Sequence, residues 1–120
     1  MGNREIGQRG EQYAVNYLRQ KDYDIVARNW RCVYGEIDII AQDGAALVFV
    51  EVRTRTTSLD DALVSITPRK QSRILRAVYA YLNAHDIPDD AAWRVDVIAV
   101  LCDRADSAKI THVEAALDCW

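Results

Sequence analysis

The sequence predicts a single α/β domain over residues 1–120, with the element order αβββαβ and a short strand to close it. Three observations carry this prediction. Three strand-like apolar runs follow one another between two helix-like segments. Asp43-Gly44 separates the second and third runs, as in a hairpin. Leu47-Val48-Phe49-Val50 has no polar alternation, as expected for a central strand covered on both faces.

Residues 4–20 form the first predicted helix, because Ile6, Tyr13, Ala14, Tyr17 and Leu18 recur at three- and four-residue spacing. Gly7 and Gly10 each lower helix propensity by ~1 kcal/mol relative to Ala. A close approach of the first turns to another element would account for both. Tyr23 to Trp30, Val33 to Gln42 and Ala45 to Arg55 are the three strands. Residues 56–66 read as a polar loop with apolar anchors. Thr67-Pro68 starts the second helix, with a capping hydroxyl followed by Pro at the first helical position. Ile74, Leu75, Val78, Tyr81 and Leu82 carry its buried stripe to about residue 84. His85 to Asp90 is a loop, Trp93 to Leu101 a further strand, and Ile110 to Ala115 a short edge strand. Trp30, Trp93 and Trp120 read as core or interface residues, and His85 and His112 as loop and edge residues.

Composition narrows the function classes. Half the residues are hydrophobic and 28% are charged, an ordinary globular balance. No uncharged stretch is long enough to span a membrane. Met1-Gly2-Asn3-Arg4-Glu5 leads into a charged helix and not into the apolar core of a secretory signal. Cys32, Cys102 and Cys119 lack CxxC spacing, which points to a reducing cytoplasm and away from disulfides or zinc. The net charge of −3 is unevenly spread. From Arg53 to Arg76, six cations face two acids, a local +4; from Ala84 onward, eight acids face three bases, a local −5. The basic segment can hold a polyanion locally although the chain is acidic.

Asp38 and Glu51 are the residues least at home in their surroundings. Each interrupts an apolar strand, and a buried carboxylate is costly unless paired, protonated or bound to a metal. Strand parity puts Glu36 and Asp38 on one face of the second strand, and Glu51, Arg53 and Arg55 on one face of the third. With the hairpin faces in agreement, Asp38, Glu51 and Arg53 converge at one end of the sheet. Oxygen ligands of this kind suit magnesium or manganese, which could activate water and neutralise a phosphodiester transition state. A purely structural alternative pairs Asp38 with Arg53 at a strand edge. At the start of the second helix, Arg69, Lys70 and Arg73 oppose the helix macrodipole, each by up to ~1 kcal/mol. Cations placed against that local rule mark a candidate phosphate site.

An Asp followed across a hairpin by Glu-x-basic resembles the PD-(D/E)xK nuclease superfamily. That resemblance implies a restriction endonuclease-like fold, with a mixed central sheet flanked by helices. Gly7 and Glu11, Asn29, Gly35-Glu36-Ile37-Asp38, Phe49-Val50-Glu51-Val52, Thr54-Arg55, Thr67-Pro68-Arg69-Lys70 and Arg94-Val95-Asp96 together resemble the YraN-like family. This bacterial family is related in fold to the archaeal Holliday-junction resolvases. The resemblance implies Asp38 and Glu51 as ligands of Mg2+ or Mn2+, with the Val52 carbonyl as a third. Glu11 resembles the helix-one Glu of resolvase-type sites, though it reads equally as a solvated helix carboxylate. Glu36 reads as a structural or substrate-side residue first and as a metal ligand second. The departure is Arg53, where the superfamily has Lys. Arginine stays protonated, so it can hold a phosphate but cannot act as a general base. Lys70 is the candidate to compensate.

The function expected from these readings is a cytoplasmic, metal-dependent endonuclease acting on DNA more than RNA, on branched or damaged DNA in particular. Asp38, Glu51, Arg53, Glu11 and Lys70 form its catalytic set, and Arg55, Arg69 and Arg73 its nucleic-acid contacts. The resolvase resemblance also implies a homodimer. Two alternatives stand beside it: a binding module whose cleavage is impaired by Arg53, and a protein-interaction domain.

Overall fold

A computed structural model describes residues 2–103 and 107–117. Helix α1 (Asn3–Gln20) precedes β1 (Asp24–Cys32), β2 (Gly35–Asp43) and β3 (Ala46–Arg55). Helices α2 (Leu59–Val64) and α3 (Pro68–Ala84), then β4 (Trp93–Cys102) and β5 (Ala108–Val113), complete the chain. The five strands lie in the order β1-β2-β3-β4-β5. All neighbours are antiparallel except β3 and β4, which run parallel from Leu47 opposite Trp93 to Arg55 opposite Leu101. A parallel pair needs a crossover, and α2 with α3 supplies it.

The expected αβββαβ order and closing strand are present. The expected polar loop over residues 56–66 instead contains α2. The Ser58 side chain accepts from Asp61 N–H, and Asp60 and Asp61 sit in the first turn, where carboxylates complement the macrodipole. Six residues are too few to display a helical period, so this helix is capped into existence more than patterned. The last strand begins at Ala108 and stops at Val113, because Ala115 turns to a φ of +49°.

Two apolar layers sandwich the sheet. Ala14, Val15 and Leu18 of α1 pack on Val48, Val50, Val52, Ile98 and Val100. Ile74, Val78 and Tyr81 of α3 pack on Phe49, Ile40 and Val95. The run Leu47–Val50 is therefore covered on both sides, as predicted. Trp30 meets Tyr81 edge to face, and Trp93 meets Phe49 the same way, so both belong to the core as expected. Trp120 and Cys119 lie outside the described residues. Among those residues no helix is long and apolar enough to cross a membrane.

The two helix-one glycines part company. A Cβ on Gly10 would land on the Thr54 side chain, so α1 and β3 touch there, as expected. A Cβ on Gly7 would meet nothing within 4 Å, so close packing does not account for it. Gly7 instead lines an open cleft. Gly10→Ala is expected to lower stability by about 1–3 kcal/mol through overpacking. Gly7→Ala is expected to raise it by about 0.5–1 kcal/mol through helix propensity. Chemical denaturation of the two variants checks the contrast, and equal effects would contradict it.

Candidate metal and phosphate site

A break in strand alternation builds the site. Ile39 packs with α1, whereas Ile37 and Ile40 pack with α3. Residues two apart on a regular strand share a face, so the alternation slips between Ile37 and Ile39. The same happens opposite, on β1. Ala27 and Trp30 pack on the α3 side, while Arg28 donates to Gln12 and Asn29 donates to Glu11, both on α1. Asn29 carries the cause, a φ of +53° inside the strand. Asn tolerates the left-handed region far better than a branched residue would. Asn29 and Asp38 stand between the paired positions Arg28–Ile39 and Trp30–Ile37. The double slip turns Glu36 and Asp38 toward α1.

Glu11, Glu36 and Asp38 consequently present one carboxylate oxygen each within 4.8 Å of one another. Two ionised carboxylates at that distance repel by about 3 kcal/mol at an effective dielectric of about 20. The Asn29 amide bridges part of this, donating 2.7 Å to Glu11 Oε1 and 2.6 Å to Glu36 Oε1. Asp38 Oδ2 accepts from Val52 N–H at 2.8 Å. The β2–β3 ladder ends one pair earlier, at Ile39 opposite Val50. Asp38 thus takes the backbone donor that the parted strands leave open.

Glu51 arrives from the other side. It lies between Val50 and Val52, both in the α1-side core, so its side chain leaves toward α3. The convergence of Asp38, Glu51 and Arg53 is expected at one end of the sheet if the hairpin faces agree; here the faces do not agree, and Asp38 and Glu51 approach the open end of the ladder from opposite sides. Glu51 Oε1 is 3.4 Å from Arg53 Nε, and that nitrogen is buried with no hydrogen bond. The alternative pairing of Asp38 with Arg53 is not formed; Arg53 faces Glu51. Lys70 Nζ donates to Ser65 O at 3.1 Å and its charge also reaches Glu51.

Both half-buried carboxyls are held well above the usual carboxylate range. For Asp38 the causes are burial first and then the Glu51 charge, opposed by the Val52 N–H and reinforced by Glu11 and Glu36. For Glu51 burial again leads, Arg53 and Lys70 oppose it, and Glu11 and Glu36 add to it. Strongly displaced carboxyls grouped beside a cleft mark a candidate functional site.

The cleft has a volume of about 460 Å³, and its lining includes Gly7, Glu11, Asp38, Val52, Arg53 and Arg55. Arg55 is braced by a bond from Nη1 to Thr54 O of 2.7 Å. Arg73 lies against Gly35, at the base of the β1–β2 hairpin. Arg69 is exposed on the first turn of α3 and does not line the cleft. Among the expected site residues, the fold therefore assembles Glu11, Asp38, Glu51, Arg53, Arg55 and Lys70, and leaves Arg69 apart. Glu36 joins the close carboxylate group, while Glu51 stands outside it. Asn29 had been singled out only as part of a motif; its role as a bridge depends on a positive φ that no spacing reveals.

The pivot is testable. Asn29→Ala places a residue that tolerates positive φ less well than Asn, a backbone penalty of up to about 1–2 kcal/mol, and removes both bridging bonds. Asn29→Gly removes the bonds but keeps the backbone. Thermal unfolding is expected to rank wild type above the glycine variant and that above the alanine variant; equal losses would mean that the left-handed backbone is not the controlling feature.

Comparison with known proteins agrees along nearly the whole chain. Residues 10–100 match the profile of "Uncharacterised protein family UPF0102". A UPF0102 protein of Chloroflexus aurantiacus is 47% identical over 114 residues, covering 95% of this chain and 93% of that relative. One from Mycolicibacterium vanbaalenii is 44% identical over 111 residues, covering 92% and 91%. One from Geobacter sulfurreducens is 42% identical over 117 residues, covering 97% and 91%. With its motifs, its fold and these relatives in agreement, this chain belongs to UPF0102, the YraN-like family.

Proposed function

We propose that this protein is a cytoplasmic, Mg2+- or Mn2+-dependent nuclease of the PD-(D/E)xK kind that binds DNA and hydrolyses its phosphodiester bonds. The observation that carries this reading is the group of three carboxylates, Glu11, Glu36 and Asp38, with the Glu51 charge acting on Asp38, beside a cleft walled by Arg53 and Arg55. The donors are all carboxylate oxygens with no thiolate or imidazole among them, so they fit a hard cation such as magnesium or manganese. Glu11, Glu36 and Asp38 would hold it, with Glu51 joining when it leaves Arg53. Once bound, the cation supplies charge neutralisation and a more acidic water. Arg53 and Arg55 hold the phosphate oxygens, and Lys70 keeps positive charge beside Glu51. Water attacks phosphorus, the bond to the 3′ oxygen breaks, and a 5′-phosphate and a 3′-hydroxyl result.

Arg53 favours a second reading. A guanidinium cannot accept the proton of the attacking water, so a DNA-binding module with impaired cleavage fits the same cleft. One experiment separates the two. End-labelled single-stranded, duplex, flap and four-way-junction DNA are incubated with the protein in Mn2+, with EDTA and Asp38→Ala as controls. Cleavage abolished by both controls supports the nuclease. Cleavage by Arg53→Lys alone supports the impaired module. Absence of salt-sensitive DNA binding removes both and leaves the protein-interaction alternative.

A further inference from the structure

Val33 and Tyr34 form the tip of the β1–β2 hairpin, between the paired Cys32 and Gly35. Val33 is 93% exposed and Tyr34 46% exposed. Two-residue hairpin tips favour Asn, Asp and Gly; Val33 gains almost nothing from burial there, and Tyr34 keeps nearly half its surface exposed. Gly35 takes the unusual backbone instead, with a φ of +139°. A local rule is broken at both tip positions without any return to the core.

The tip is joined directly to the carboxylate group. Gly35 precedes Glu36, whose carboxylate shares the Asn29 amide with Glu11. Two arginines stand at its base. Arg31 pairs with Glu36 at 3.4 Å. The aliphatic part of Arg73 lies over Gly35, where a Cβ would be 3.1 Å from Arg73 Cδ. A Cβ at Gly35 would push that flexible side chain aside by a few tenths of an ångström. Guanidinium groups match phosphates, and an exposed aromatic ring matches the face of a base. In an intact duplex those faces are covered by their neighbours; at a gap or fork they are open.

From this juxtaposition we infer that Val33 and Tyr34 act as a base-stacking wedge, and that the cleft takes DNA with an unpaired base beside the bound phosphate. The inference rests on the nucleic-acid reading of the cleft. It names a structural class of substrate and two specificity residues that touch no carboxylate.

Fluorescence anisotropy in EDTA, without cleavage, tests it. The probes are a labelled duplex and the same duplex with a one-nucleotide gap, each carrying 2-aminopurine at the central position. Wild type is expected to bind the gapped DNA about tenfold more tightly and to quench the 2-aminopurine. Tyr34→Ala is expected to lose that preference and the quenching while binding duplex as wild type does. Tyr34→Phe is expected to keep both. Far-UV circular dichroism should be unchanged in both variants, since the side chain lies outside the core. Equal losses on both DNAs, or no loss on either, would overturn the wedge while leaving the DNA-binding cleft intact. If wild type binds neither DNA at low salt, the nucleic-acid reading falls with it, and the apolar tip is left to a protein partner.

Discussion

Asp38→Asn is expected to make the metal-free protein more stable at alkaline pH and to remove most of its stabilisation by Mn2+. The sign follows from the raised proton affinity of Asp38 in the fold. Between about pH 4, where a free carboxyl ionises, and its higher folded value, the folded protein holds a proton that the unfolded chain has lost. Stability therefore falls as pH rises through this window. Glu51 is displaced in the same direction and adds to the fall. The Asn amide oxygen can still accept from Val52 N–H, so the local bond survives while the charge does not. Every tenfold change in proton affinity is worth about 1.4 kcal/mol, so at pH 9 the variant should exceed wild type by more than about 1 kcal/mol. Below about pH 4, where the Asp38 carboxyl is protonated in both folded and unfolded chains, the two should match. A divalent cation taken up at the proposed site would displace the bound proton, so Mn2+ is expected to raise the wild-type midpoint more at pH 8 than at pH 6. Thermal unfolding across pH with and without Mn2+ measures all of this. Equal stabilisation of wild type and variant by Mn2+ would place the cation elsewhere.

Asp96→Ala is expected to cost about 3–5 kcal/mol and to lower the unfolding midpoint by more than about 10 °C. Asp96 is the one charged residue among those described that is fully buried, at 0% exposure. Its carboxylate accepts from Arg94 Nε at 3.0 Å, His112 Nε2 at 2.8 Å and Ala115 N–H at 2.9 Å. Removing it strands three donors in a place that water does not reach. Burial by itself would push Asp96 up, but His112, the Ala115 N–H and Arg94 outweigh it and hold the carboxyl below its usual range. Its contribution is thus present at neutral pH and is lost as pH falls through that lowered value, the reverse of Asp38. The network also ties distant parts of the chain together. Arg94 Nη2 donates to Tyr23 Oη at 2.8 Å and to Asp43 at 3.1 Å, and Tyr17 Oη lies 3.1 Å from His112 Nδ1. A loss below about 1 kcal/mol in chemical denaturation would show that the network is replaceable.

His112 illustrates a limit of reading residues one at a time. It does stand on an edge strand, as expected, yet its side chain is only 4% exposed because β5 folds it over Asp96 and against Tyr17. Edge position predicts exposure only for the outward face. Helix α2 is invisible in the sequence because a six-residue helix shows no period, and its Ser58 cap resembles any polar loop residue. Asp38 and Glu51 were legible for the opposite reason: a carboxylate within an apolar strand is a costly exception, and costly exceptions stand out. Gly7 and Gly10 look alike in sequence, but only Gly10 faces a neighbouring side chain, that of Thr54 on β3.

The sequence by itself determined the order of elements, the central place of Leu47–Val50, and the identity of the carboxylates and cations available for a site. Periodicity and capping are local, and local patterns survive in any fold that buries them. Only the tertiary structure decided which of those side chains meet. Unbroken alternation would send Glu36 and Asp38 to the side of Ile40 and α3; the left-handed turn at Asn29 sends them to Glu11 on α1 instead. Parity assumes a period of two along the whole strand, whereas the sign of φ at one residue is set by what α1 offers to Arg28 and Asn29 across the sheet.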